Sequence, residues 1–188
     1  MIRWLCIFLL VASACAHAAP AAGDAAADDD LQLFMAEHGL LTELERMGQT
    51  VTDQASDLVV NAMGFLGVPY RRGGNSAETG FDCSGFVRAI YQSTVGLVLP
   101  RRANEQAAAT QRIDKQDLQP GDLVFFNTMR HAFSHVGIYI GEGKFIHSPK
   151  PGAQVRVESM GQGYWQRRFD GARRVLSLSA AEPQPDVR

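Results

Sequence analysis

The sequence predicts an α+β domain, with helices first and an antiparallel sheet after them. Up to about residue 110 the apolar residues recur at helical spacing. Beyond Leu118 they fall into short strand-like runs separated by Gly- and Pro-containing turns. A third observation points at chemistry. Past residue 15 the chain has one cysteine, Cys83, opening the helix-like run FDCSGF, and His135 and His147 stand at the ends of two of the strand-like runs.

Taken in order, Leu31 to Leu66 reads as mostly helical, with Leu33, Phe34, Leu40, Leu41, Leu44 and Met47 in one apolar run and Leu58, Val59, Ala62, Met63 and Leu66 in a second. Gly67, Pro69 and Gly73-Gly74 end it, so Tyr70 to Gly80 is expected to be a loop. Phe86, Val87, Ile90 and Tyr91 make an i, i+1, i+4, i+5 stripe, predicting a buried helix from about Ser84 to Thr94. Arg102 to Thr110 reads as a short alanine-rich helix followed by a polar connection. Strands are then expected at Leu123–Phe126, Val136–Ile140, Phe145–His147, Val155–Val157 and Ala172–Leu178, about five in all. Residues 179–188 read as a frayed tail, 19–30 (APAAGDAAADDD) as a flexible acidic leader, and 31–178 as a single domain without a repeated module.

The first eighteen residues carry an export signature. Arg3 is a minimal basic n-region, Trp4 to Val11 a short apolar stretch, and Ala16-His17-Ala18 a small-x-small cleavage pattern. The stretch falls well short of the roughly 20 residues that span a bilayer, so no transmembrane helix is expected. A second reading is lipid anchoring through Cys15, but the large aliphatic residue usual three positions earlier is Ala12. Cleavage after Ala18 removes Arg3 alone among the charged residues, leaving 17 basic against 20 acidic. That balance argues against a nucleic-acid partner. Cleavage after Ala18 also removes Cys6 and Cys15, leaving Cys83 without a disulfide partner in a compartment that favours disulfides. A lone thiol there is either inertly buried or kept for chemistry.

The presentation of Cys83 favours chemistry. A helix beginning there turns its unpaired N–H groups and positive dipole end toward the sulfur, which is expected to lower its pKa and to offer an oxyanion a set of donors. His135 and His147 flank a hairpin. If its loop has an odd number of residues, Gly141 to Gly143 for instance, the two side chains share a sheet face. One imidazole then takes the proton from Cys83 while the other orients it. A rival reading gathers Cys83, His131, His135 and His147 around a metal. It lacks a close ligand pair on a helix, so neither metal nor other cofactor is expected.

The string GVPYRRGG…GFDCSGFVRAIY…LPRRANEQ…LQPGDLVFF…HVGIYIGEGKFIHS resembles the NlpC family of bacterial cell-wall cysteine peptidases over about Ala62 to Val175. The resemblance implies a papain-like fold in which the helix bearing the cysteine packs on the sheet. It makes Cys83 the nucleophile, His135 the base and His147 the polar third residue. It puts Tyr70 beside the nucleophile and gives Asp82 and Ser84 site-shaping positions, although Asp82 also suits a helix N-cap. Arg101, Asn104 and Gln106 match a family segment and read as structural polar residues. Arg71-Arg72 and the loop Asn127–Ser134, with Met129, Arg130, His131 and Phe133, depart from the usual pattern. Arg71, Arg72 and Arg130 are the cations on the two segments expected to border the cleft, and so are candidates to bind the carboxylates of stem peptides.

The function implied is an exported cysteine endopeptidase that cuts amide bonds of peptidoglycan stem peptides or cross-links through a thioester. Its partner is the stem peptide and the chain is expected to be a monomer in the periplasm or envelope. The alternatives are a non-catalytic wall-binding scaffold and an acyltransferase on the same fold.

Overall fold

The structure is a computed structural model that describes residues 39–175. The expected signal peptide, acidic leader and tail lie outside those residues, as do Leu33, Phe34 and Leu176 to Leu178. Described residues from Glu45 onward belong to one compact unit.

The part of the helical stretch that is described forms one helix, α1 (Leu40–Met63), whose Leu58 and Ala62 are fully buried. The segment expected to be a loop holds a miniature antiparallel pair, β1 (Asn75–Ser76) and β2 (Gly80–Phe81). Helix α2 (Cys83–Val95) starts one residue before the predicted Ser84, because Asp82 caps it by accepting the Gly85 N–H at 2.8 Å. It stops at Gly96, whose φ of 71° is the left-handed C-cap that glycine favours. Its apolar stripe is buried as the spacing requires. Helix α3 (Ala103–Ala108) is shorter than expected by a residue or two at each end.

Six strands, rather than about five, make the main sheet. They are β3 (Gln111–Ile113), β4 (Leu123–Phe126), β5 (His135–Gly141), β6 (Lys144–His147), β7 (Arg156–Ser159) and β8 (Phe169–Arg174). The order is β3-β8-β4-β5-β6-β7 and every neighbour is antiparallel. The unforeseen strand is β3, in the supposed polar connection. Its side chains are mostly exposed, so no alternation marks it, and pairing with β8 creates it. Strand β8 begins at Phe169 rather than Ala172, since Asp170 and Gly171 hide a strand that β4 imposes through backbone bonds. A short helix, α4 (Gly163–Gln166), was not expected either.

Alternate residues of β4 serve two apolar clusters. Leu123 and Phe125 join the main core with Phe86, Ile90, Val136, Ile138 and Ile146. Val124 and Phe126 join a smaller cluster with Phe145, Met160 and Trp165. Helix α2 packs on the first face and α4 on the second. Each fully buried large side chain contributes roughly 1.5–3 kcal/mol, so the larger cluster carries most of the stability. Among the described residues no helix is long and apolar enough to cross a membrane.

Candidate active site

Three sets of bonds fix the position of Cys83. Asp82 accepts the N–H of Gly85 and that of Gly73, at 2.8 and 2.9 Å. Arg101 forks onto both oxygens of the same carboxylate, at 2.9 and 2.6 Å, and also reaches Ser84 Oγ at 3.1 Å. Bidentate pairing of this kind fixes orientation as well as distance. Gln106 donates to the carbonyls of Ser84 and Pro100, both at 3.0 Å. Arg101 and Gln106 thus tie α3 to the start of α2, while Asn104 is exposed on the cleft rim. Gly74 and Gly85 permit the closest approach. A Cβ on Gly85 would lie 2.1 Å from the Gly74 carbonyl oxygen, so the Gly73-Gly74 segment is pressed against α2 itself.

The histidines come from the other side. The turn between β5 and β6 has two residues, Glu142 and Gly143, both at positive φ, not the three anticipated. A bulge at Ile140 supplies the missing residue, so the parity that puts His135 and His147 on one face survives. The register sets Gly137 opposite His147, and a Cβ there would lie 3.1 Å from that of His147 and 2.7 Å from the Phe145 ring. His135 therefore meets His147 diagonally, Nε2 to Nδ1, at 2.6 Å. His147 Nε2 lies 2.7 Å from Glu158 Oε2, and Arg156 donates to the other Glu158 oxygen at 3.1 Å. The Trp165 ring stacks on His135, with centroids 5.5 Å apart, and meets His147 edge-on. Both histidines are buried, His147 completely.

One bond brings the halves together. Ser148, next to His147, donates to the Phe81 carbonyl at 2.7 Å, one residue before Asp82. Cys83, Tyr70 and His135 consequently line one lobe of the cleft, about 450 Å³, with Lys150, Arg156, Glu158 and Tyr164. A second lobe continues past Cys83 and Tyr70 to Arg72, Arg101, Arg102 and His131.

Protonation departs from expectation at the nucleophile. Burial and the neighbouring Asp82 carboxylate push the Cys83 thiol up to about 11. The N–H groups of Val136, Ser84 and Cys83 itself oppose that rise without reversing it. Helix-end donors were expected to win, but removing the sulfur from water costs the thiolate more. Burial likewise holds His135 well below 6.5, with His147 adding to the effect. It lowers His147 too, against the pull of Glu158. Burial raises the Tyr70 phenol, and Cys83 and Asp82 push it the same way. The resting site is thus a neutral thiol facing a neutral imidazole.

Tyr70, Asp82, Cys83, Ser84, His135 and His147 therefore gather around one centre. Arg72 borders the second lobe, whereas Arg71 and Arg130 are exposed and line neither lobe. His131 is exposed and directs Nδ1 to the Ala132 carbonyl at 3.2 Å. Among the described residues no three His, Cys, Asp or Glu side chains are grouped to hold a metal. Glu158 and Trp165 escaped the sequence reading. The alternation of Val155 and Val157 with Arg156 and Glu158 was a signal for Glu158, since it puts two charges on one face of β7. Trp165 gave none, because α4 is a single turn.

Comparison with known proteins agrees with this architecture. The NlpC/P60 family model matches residues 67–174, and the chain belongs to that family. Murein DD-endopeptidase MepH of Escherichia coli K12 is 47% identical over 115 residues, which are 60% of this chain and 42% of that protein. Gamma-DL-glutamyl hydrolase of Bacillus subtilis is 37% identical over 131 residues, 69% of this chain and 32% of the relative. The chain thus spans less than half the length of either. The crystal structure of an NlpC/P60 family protein from Bacillus cereus superposes with a TM-score of 0.59 at 40% identity, covering 64% of this chain and 39% of that one.

Proposed function

We propose that this chain is an exported cysteine endopeptidase that hydrolyses amide bonds in peptidoglycan stem peptides or their cross-links. The observation that carries the reading is the convergence of Cys83 and the His135–His147 pair on one open cleft. A wall-binding scaffold has no use for two buried imidazoles hydrogen-bonded in series at 2.6 Å. The name of one curated relative, a murein DD-endopeptidase, supports a peptide of the wall as substrate, and that of the other, a gamma-DL-glutamyl hydrolase, supports hydrolysis of an amide bond. The basic n-region, apolar stretch and small-x-small site of residues 1–18 support export.

The chemistry follows from two neutral partners. The Cys83 S–H bond breaks as His135 takes the proton, and the sulfur lone pair attacks the carbonyl carbon. The carbonyl oxygen becomes an oxyanion near the N–H groups at the start of α2. Its collapse breaks the C–N bond, His135 returns the proton to the departing amine, and a thioester remains. Water, deprotonated by His135, cleaves the thioester and restores the thiol. Drawing the proton from a thiol whose pKa is about 11 is feasible because donor and acceptor line the same cleft lobe, which makes the transfer intramolecular.

The test is mass analysis of purified muropeptides, including cross-linked dimers, after incubation with the chain. Hydrolysis gives shortened stems or separated monomers, acyl transfer gives a new linkage, and a scaffold leaves the mixture intact. Cys83→Ala should keep the wild-type melting temperature within a degree or two and lose all turnover. Iodoacetamide should stop the wild type and EDTA should not. Undiminished turnover by Cys83→Ala sinks the thiol mechanism.

A further inference from the structure

We infer that Glu158 is a positioning residue that selects, through two imidazoles, which nitrogen of His135 receives the Cys83 proton. Donors and acceptors along the relay leave one assignment. A neutral imidazole offers one N–H and one lone pair, whereas a carboxylate only accepts. Glu158 is ionised at neutral pH, held below 4.5 chiefly by its bond to His147. His147 Nε2, 2.7 Å from that carboxylate, therefore carries the hydrogen. Its Nδ1 is then a bare lone pair, so His135 Nε2, 2.6 Å away, must donate to it. The nitrogen left bare on His135 is Nδ1, and because His135 and Cys83 line the same cleft lobe it is the one free to take the thiol proton.

A second consequence is electrostatic. When the S–H bond breaks and the Nδ1–H bond forms, the His135–His147 pair gains one positive charge. Glu158 is the carboxylate hydrogen-bonded to that pair, and it is half-buried. Arg156 on β7 binds its other oxygen and opposes it. Lys150, after β6, lines the same cleft lobe. At the start of α2, Asp82 and the developing thiolate face the cleft; Arg72, Arg101, Arg102 and His131 line its second lobe, and α4 presents the uncharged Trp165 and Tyr164. Glu158 thus favours the thiolate–imidazolium state and fixes the tautomer that can reach it. Glutamine at this position removes the charge and, by offering an N–H as well as an oxygen, lets His147 turn its tautomer over.

The effect on turnover rests on the peptidase reading, but the protonation pattern does not, so the experiment reads the pattern first. Nitrogen-15 NMR of histidine-labelled full-length chain at pH 7 should show both His147 and His135 protonated at Nε2. Glu158→Gln should give a mixed His147 tautomer. Iodoacetamide alkylation of Cys83 at pH 7 should slow at least tenfold in the variant, and its rise with pH should move to higher pH. Glu158→Asp should recover part of that rate. On a stem-peptide substrate, kcat should fall with little change in KM. An Nδ1–H on either wild-type histidine overturns the assignment, as does an alkylation profile for Glu158→Gln that superimposes on the wild type. A chain that shows the tautomers and the alkylation shift but cuts no muropeptide keeps this inference and loses the peptidase reading.

Discussion

The two faces of the sheet hold the two halves of the site by different means. On the face of α2, Cys83 is fixed by many bonds shared between backbone and side chains: a capped helix end, a glycine pressed on a carbonyl, and one carboxylate shared by Arg101 and two N–H groups. On the other face, His135 and His147 are fixed by side chains, with Trp165, Phe126 and Phe145 around the rings and Glu158 at the end of the relay. A frame of many shared bonds survives the loss of one, whereas a relay of side chains in series fails when one member is removed. Yet burial drives both halves to the same protonation state, the thiol up and the imidazoles down. The nucleophile is therefore robustly placed but weakly ionised, and its reactivity depends on the more fragile half.

The sharpest way to break this comparison is to strike the two histidines separately. His135→Ala removes the proton acceptor and should lower kcat by at least about 10³-fold. His147→Gln keeps the acceptor but misorients it, and should be one to two orders of magnitude less damaging. Equal kcat for His147→Gln and wild type removes His147 from the site. On the nucleophile face the expected loss is in stability. Asp82→Ala deletes the cap and strands Arg101, costing about 1–2 kcal/mol. A calorimetric melt should fall by roughly 4 °C, and an unshifted one would show that the backbone alone holds the helix end.

Acid should act mainly on the histidine face. His135 and His147 have folded pKa values below 6.5, so under pH 6.5 the unfolded chain binds protons that the folded chain does not. Their contribution is complete above about pH 6.5 and is lost as pH falls through the lower folded values. Glu158, lowered from 4.5, adds a further loss below about pH 4.5. Denaturation midpoints at pH 7.5 and 5.5 should differ less in a His135→Asn/His147→Asn double variant than in the wild type, and an equal difference would refute the burial account. The smallest effect concerns the arginines. Arg72 borders the second lobe and Arg71 does not, so Arg72→Ala should raise KM a few-fold, and more at low salt, while Arg71→Ala leaves it alone.

By itself the sequence determined the local elements whose side chains report their own burial. The stripe Phe86, Val87, Ile90 and Tyr91 marked α2, the run Leu123–Phe126 marked β4, and FDCSGF with HVGIYIG and KFIH brought Cys83, His135 and His147 into view. Tertiary structure decided what sequence periodicity does not encode. Strand β3 exists because β8 offers it backbone partners, and the bulge at Ile140 restores a parity that the two-residue turn would have broken. Glu158 and Trp165 reach the histidines because β7 pairs with β6 and α4 folds back on the same face. The direction of the Cys83 shift was also beyond the sequence. Helix-end donors are local and legible, whereas the loss of water that outweighs them depends on every element closing around the sulfur.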